Sequence, residues 1–136
     1  MGATLISHVF IGVEDFSRAL DFYSSIMEEL GLVLKFSEPE KSWAGWVAPD
    51  APRPLFLIGK PYDGQKANTG NGQMVALLAP SRESVDRAHA KALSVGGTCK
   101  GAPGLRPHYH PDYYGAYFLD MDGNKICVCC HGKPTF

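Results

Sequence analysis

Apolar and polar positions along this chain follow two rhythms, and their order occurs twice. Residues 5–13, LISHVFIGV, form an apolar run rich in branched side chains, which predicts a strand. Asp15 then stands as an N-cap, and a helix is predicted from Phe16 to Leu30. Phe16, Ala19, Leu20, Tyr23, Ile26, Met27 and Leu30 fall at helical spacing on one stripe, and Gly31 supplies the stop. Three short strands are predicted over 32–37, 42–48 and 53–59, and the Pro/Gly/Asn-rich stretch from Lys60 to Gly72 reads as a linker. The pattern then restarts. Residues 73–79 predict a strand and Ser81 an N-cap. A helix is predicted from Arg82 to Val95, stopped at Gly96-Gly97. A short strand around 98–100, a long loop, and strands at 114–120 and 125–131 complete the second unit. An offset of 66 residues places His8 over Met74, Asp15 over Ser81 and Gly31 over Gly97. Strand–helix–strand–strand–strand, twice, is the organisation of a duplicated module. The expected fold is therefore α+β: two βαβββ modules, about 1–60 and 73–136, making one domain over residues 1–136.

Composition narrows the function. With 136 residues, 45% of them apolar and only 20% charged, the chain can bury a core and is not expected to be disordered. Thirteen basic against fourteen acidic residues give a net charge of −1. Without a broad positive field, no nucleic-acid partner is expected. No run approaches the roughly 18 apolar residues of a membrane span, so no membrane partner is expected. The start, MGATLISHVFIGVED, lacks the basic residues and long apolar stretch of a secretory leader, which predicts a cytoplasmic protein. Cys99, Cys127, Cys129 and Cys130 make a poor disulfide framework and are expected to be reduced thiols.

Candidate chemistry follows from strand alternation. Ile6, His8 and Phe10 share one face of the first strand. On the last strand Cys127, Cys129 and His131 share a face. That face is either a soft-metal set or a row of cysteines packed as small apolar side chains. The loop 101–114, GAPGLRPHYHPDYY, is the densest chemical stretch. Arg106 can clamp an anion, His108 and His110 can move protons, and Tyr114 can stand at a pocket rim. Packing of the same loop is the competing reading. Trp43 and Trp46, three apart on one strand, face opposite sides, and Trp46 is favoured as the cavity-lining one. The turn Asp120-Met121-Asp122-Gly123-Asn124 reads only as a tight hairpin. Glu28, Glu29, Arg87 and Lys91 read as a solvated helix face.

The segments SHVFIGVED (7–15), RALDFYSSIMEELG (18–31) and DMDGNK (120–125) resemble the vicinal oxygen chelate superfamily of glyoxalase I, bleomycin-resistance proteins and extradiol dioxygenases. Residues 101–125 are similar to a bacterial glyoxalase-like branch. The resemblance implies that each module curls its mixed sheet into a half-barrel around a cavity, with the helices outside. It places metal ligands at His8, near Leu57, at Met74 and at Cys127. Only His8 is of the usual type. A histidine, a thioether and a thiol form a soft set, unsuited to the hard divalent ions of glyoxalase or dioxygenase chemistry. No metal-ligating set and no cofactor are therefore expected beyond the divalent ion that the resemblance itself implies. Met74 is then expected to line the cavity.

Two readings of function stand open. One is a glyoxalase-like protein, related to lactoylglutathione lyases, acting on or binding a small oxygenated or thiol-conjugated metabolite. His8 would be the base, Cys127 the thiol, and Arg106 the anion anchor; Trp46, Met74, His108 and Tyr114 would line the ligand. The other is a metal-free binding or sequestration protein of the bleomycin-resistance type. A thiol sensor using Cys127 and Cys129 is a third, lesser possibility. The resemblance also implies a homodimer with a small-molecule ligand.

Overall fold

A computed structural model describes residues 5–133. The first module runs β1 (His8–Gly12), α1 (Phe16–Leu30), β2 (Val33–Glu38), β3 (Trp43–Val47) and β4 (Leu55–Gly59). The second runs β5 (Val75–Leu78), α2 (Arg82–Ser94), β6 (Thr98–Leu105), β7 (Tyr114–Leu119) and β8 (Lys125–Cys130). Each module makes one four-stranded mixed sheet, ordered β1-β4-β3-β2 and β5-β8-β7-β6. In both, the first strand pairs in parallel with the last and the other pairs are antiparallel. The sheets do not close, which leaves two half-barrels.

The helix signals act as the sequence predicts. The Asp15 carboxylate accepts from the Arg18 N–H at 3.1 Å, and Gly31 ends α1 in the left-handed region at φ 77°. The Ser81 hydroxyl accepts from the Ser84 N–H and starts α2. The buried stripe of α1 differs in one respect. Phe22 is fully buried, whereas Leu20 is only partly so. The reason is that α1 covers its own sheet and also reaches the other module, where Phe22 meets Phe118 edge-on at 6.0 Å. One core cluster therefore spans both modules, from Phe16 and Tyr23 to Phe118 and Val128. Arg87 on α2 pairs with Glu29 on α1 at 2.9 Å, so these two charges join the helices rather than merely facing solvent.

The 120–124 turn is also more than a hairpin. Asp120 is buried and accepts from the Tyr23 hydroxyl at 2.6 Å, from the N–H groups of Asp122 and Asn124, and from the Asn124 amide. That amide also donates to the Gly12 carbonyl at 3.0 Å. The second module's turn thus grips both β1 and α1 of the first. Another departure lies in 101–114: residues 101–105 continue β6, which carries two bulges, and only the remainder is a loop. No helix is long and apolar enough to cross a membrane among the described residues.

Candidate functional site

Each sheet has one face on the helices and one face turned away, and alternation assigns every side chain to one of them. The registers His8↔Leu55, Phe10↔Leu57, Gly45↔Leu57 and Trp43↔Gly59 put His8, Phe10, Leu57, Gly45 and Trp43 on the outer face of the first sheet. Tyr117↔Cys127 and Gly115↔Cys129 put these four on the outer face of the second. Glycines make room for rings on both faces. A Cβ at Gly45 would come within 2.7 Å of Phe36, and one at Gly115 within 2.8 Å of the Tyr113 ring.

The outer face of the second sheet holds a thiol–phenol cluster. Cys127 and Cys129 are both buried. The Tyr113 hydroxyl lies 3.5 Å from Cys127 Sγ and 3.0 Å from the Tyr117 hydroxyl. Hydrogen bonding from the Cys129 thiol pulls the Cys127 pKa down to about 7, helped by Tyr113, Tyr117 and the Arg106 charge and opposed by burial. Cys129 moves the other way because it donates to Cys127 and is itself buried, so the pair's shared proton stays on Cys129. Burial and the same hydrogen bonds raise Tyr113 and keep it a neutral donor. Arg106 donates to the carbonyls of Gly104 and Ala102 at 2.9 and 2.8 Å, with its guanidinium 5.4 Å from the Tyr117 ring centre.

A histidine pair adjoins this cluster. His110 Nδ1 accepts from the Asp112 N–H at 3.2 Å, so neutral His110 carries its proton on Nε2. That Nε2 lies 2.9 Å from His131 Nδ1, and His131 Nε2 lies 3.8 Å from Cys129 Sγ. The result is a continuous path from the loop through two imidazoles to the thiol pair.

The first sheet's outer face is simpler. His8 hydrogen-bonds to the Ser7 hydroxyl at 2.9 Å and borders a cleft of about 600 Å³ with Phe10, Pro61, Tyr62 and Lys66. His8 and Cys127 therefore stand on separate sheets, each with its own partners. Trp46 and Met74 do come together, but elsewhere: they line an apolar crevice of about 450 Å³ between β1 and β5.

Trp46 and Tyr114 face the helices, and His108 lies on the surface. Trp46 pairs in register with Phe56 on the helix-facing side and packs 6.4 Å from Tyr23, so Trp43, not Trp46, lies on the outer face. Tyr114 also faces the helices; its hydroxyl donates to Asp86 on α2 at 2.6 Å, which pushes its pKa up to about 12. His108 is exposed and packs against the Tyr109 ring. Sequence reasoning missed Tyr113 and Tyr117 as neighbours of Cys127. The relevant signal was the β7–β8 pairing register, which alternation within one strand does not reveal.

The metal positions that the resemblance implies carry these donors. Leu57 offers an alkyl chain, Met74 a half-exposed thioether, and Cys127 a thiol already engaged with Tyr113. No carboxylate stands at any of them, and no three His, Cys, Asp or Glu side chains converge to hold a metal ion among the described residues. This donor set does not fit a hard divalent ion.

The sequence model of the Glyoxalase/Bleomycin resistance protein/Dioxygenase superfamily matches residues 5–128. A glyoxalase/bleomycin resistance protein from Albidiferax ferrireducens T118 is 35% identical, with a TM-score of 0.83 over 93% of this chain and 99% of that one. A family enzyme from Burkholderia phytofirmans PsJN, 20% identical over 93% of this chain and 98% of that one, shares the fold at a TM-score of 0.67. So does a glyoxalase-related enzyme from Fulvimarina pelagi, 15% identical over 98% and 99%, at 0.70. No curated protein matches. The duplicated βαβββ sheets and the match over residues 5–128 make this chain a member of the glyoxalase/bleomycin resistance protein/dioxygenase superfamily.

Proposed function

We propose that this protein is a metal-independent member of its superfamily that binds a small oxygenated or thiol-conjugated metabolite on the outer faces of its two sheets. The observation that carries this reading is the donor set: one imidazole, one thioether and one thiol where divalent chemistry needs carboxylate and imidazole. The second sheet's face offers phenols, a thiol of lowered pKa and two cations, Arg106 and Lys125, within reach of the Tyr117 ring. Such groups hold oxygenated or anionic ligands without a metal. In this reading His8 is the base of the first face and Cys127 the thiol of the second.

A second copy of the chain completes the cavity in this account. Phe10 and Leu78, on the outer faces of the first and second sheets, are 45% and 69% exposed and are open to such a contact. Laying one chain's first sheet over its partner's second would cover both and bring His8 towards the thiol cluster.

The test is turnover of the hemithioacetal of methylglyoxal and glutathione, with and without added Ni²⁺ or Zn²⁺. No turnover above background is expected with either ion. Sustained metal-dependent turnover would overturn the proposal. Sedimentation velocity is expected to show a dimer; a monomer at all concentrations would remove the shared cavity.

A thiol-based role is the second reading, and the lowered proton affinity of Cys127 favours it. Its burial beneath Tyr113 and Tyr117 predicts slow alkylation by iodoacetamide in the native protein. Rapid alkylation would favour the thiol role over simple binding.

A further inference from the structure

The outer face of the first sheet contains a recess of about 480 Å³ bounded by Phe10, Lys41, Trp43, Lys60 and Tyr62. Its floor is built for rings. A Cβ on Gly59 would come within 3.0 Å of both the Phe10 ring and Trp43, so only glycine leaves that space clear. Trp43 is held by Phe36, edge-on at 4.7 Å, and by donation from its indole N–H to Glu38 at 2.5 Å. Its ring is therefore fixed before any ligand arrives, which lowers the entropic cost of stacking.

The residues that bound this recess include two lysines, Lys41 and Lys60, and no carboxylate. Lys60 forms no ion pair, and neither does Lys66 on the adjoining linker, among the described residues. Lys41 approaches only Glu38, at 4.0 Å and well exposed. The nearby carboxylates point to neutral donors: Glu38 accepts from Trp43, Asp63 from the Gln65 N–H, and Glu14 from the Ala67 N–H at 2.6 Å. The Glu14 bond holds the linker over the end of β1, where Pro61 and Ala67 pack on Gly12. Aromatic walls with two ammonium groups at the rim complement a flat apolar body that carries negative charge at one end.

We propose that this recess binds a planar aromatic anion, an aryl carboxylate, with its ring against Phe10 and Trp43 and its charge towards Lys41 and Lys60. This deepens the functional reading above and rests on it for the outer face being the ligand face. The two alkyl stems also cover apolar surface, so the lysines contribute contact as well as charge.

The experiment compares 4-nitrobenzoate with its neutral isostere 4-nitrobenzamide by calorimetric titration of the whole protein in EDTA. Quenching of Trp43 emission, with Trp43→Phe as the control, locates the site. The anion is expected to bind about fivefold more tightly, and the preference to vanish in the Lys41→Gln/Lys60→Gln double variant. Phe10→Ala should weaken both ligands. Equal binding of the two, a preference that survives the double variant, or no binding of either with or without a divalent ion would overturn the proposal. The lysines are exposed and the double variant is expected to fold; its thermal midpoint checks this independently of Phe10→Ala. Binding that appears only when a divalent ion replaces EDTA would instead overturn the metal-independent reading, leaving the ligand class standing.

Discussion

The Tyr113 hydroxyl lies 3.5 Å from Cys127 Sγ, placing a phenol donor against a buried thiol. A thiolate that accepts from a phenol and from a neighbouring thiol needs no metal to exist near neutral pH. Thiolate absorbance near 240 nm, with Cys127→Ala as the blank, should titrate with a midpoint of about 7. Tyr113→Phe removes one donor, so the midpoint should rise towards the ordinary value of 9.0. An unchanged midpoint in that variant would show that Tyr113 does not hold the charge.

The link between the modules should be costly to break. Tyr23→Phe removes the 2.6 Å bond to Asp120 and is expected to cost about 1–2 kcal/mol by urea denaturation. Asp120→Ala also strands the Asp122 and Asn124 N–H groups and should cost about 3–5 kcal/mol. Equal losses in the two variants would contradict the role given to the turn.

His89 gives a pH dependence of known sign. It is buried beside Phe118, and its Nε2 has no hydrogen-bond partner. Burial lowers its pKa below the ordinary 6.5, with Asp86 opposing. The unfolded chain therefore takes up this proton more readily than the folded one. Stability from this group is fully present above the unfolded pKa and is lost as pH falls through the lower folded value. Urea midpoints should fall from about pH 7.5 to about pH 5.5, and His89→Leu should flatten that fall. An identical slope in the variant would assign the effect elsewhere.

The Glu29–Arg87 pair joins two helices with Arg87 57% exposed and Glu29 20% exposed, so water still screens it from the arginine side. Arg87→Ala is expected to cost only about 0.2–1 kcal/mol, less in high salt. A larger loss would mean the pair orders the helix contact.

Local signals made the fold legible. Asp15, Gly31 and Ser81 cap helices where the pattern says they should, and the 66-residue offset reflects two sheets of matching order. The site was less legible, because strand pairing creates it. Trp43 and Trp46 differ only in phase, and the Trp46↔Phe56 register, invisible along one strand, sends Trp46 to the helices. Cys127 stood out by type, but Tyr117 becomes its neighbour only through the β7–β8 register. Asp120 sits in a generic turn sequence, and its partner Tyr23 lies in the other module.

Metal retention tests the central claim most directly. The purified protein, incubated with Ni²⁺, Zn²⁺, Fe²⁺ or Mn²⁺ and dialysed, should hold no stoichiometric metal by elemental mass spectrometry. A stoichiometric ion that survives dialysis and disappears in His8→Ala would contradict the account.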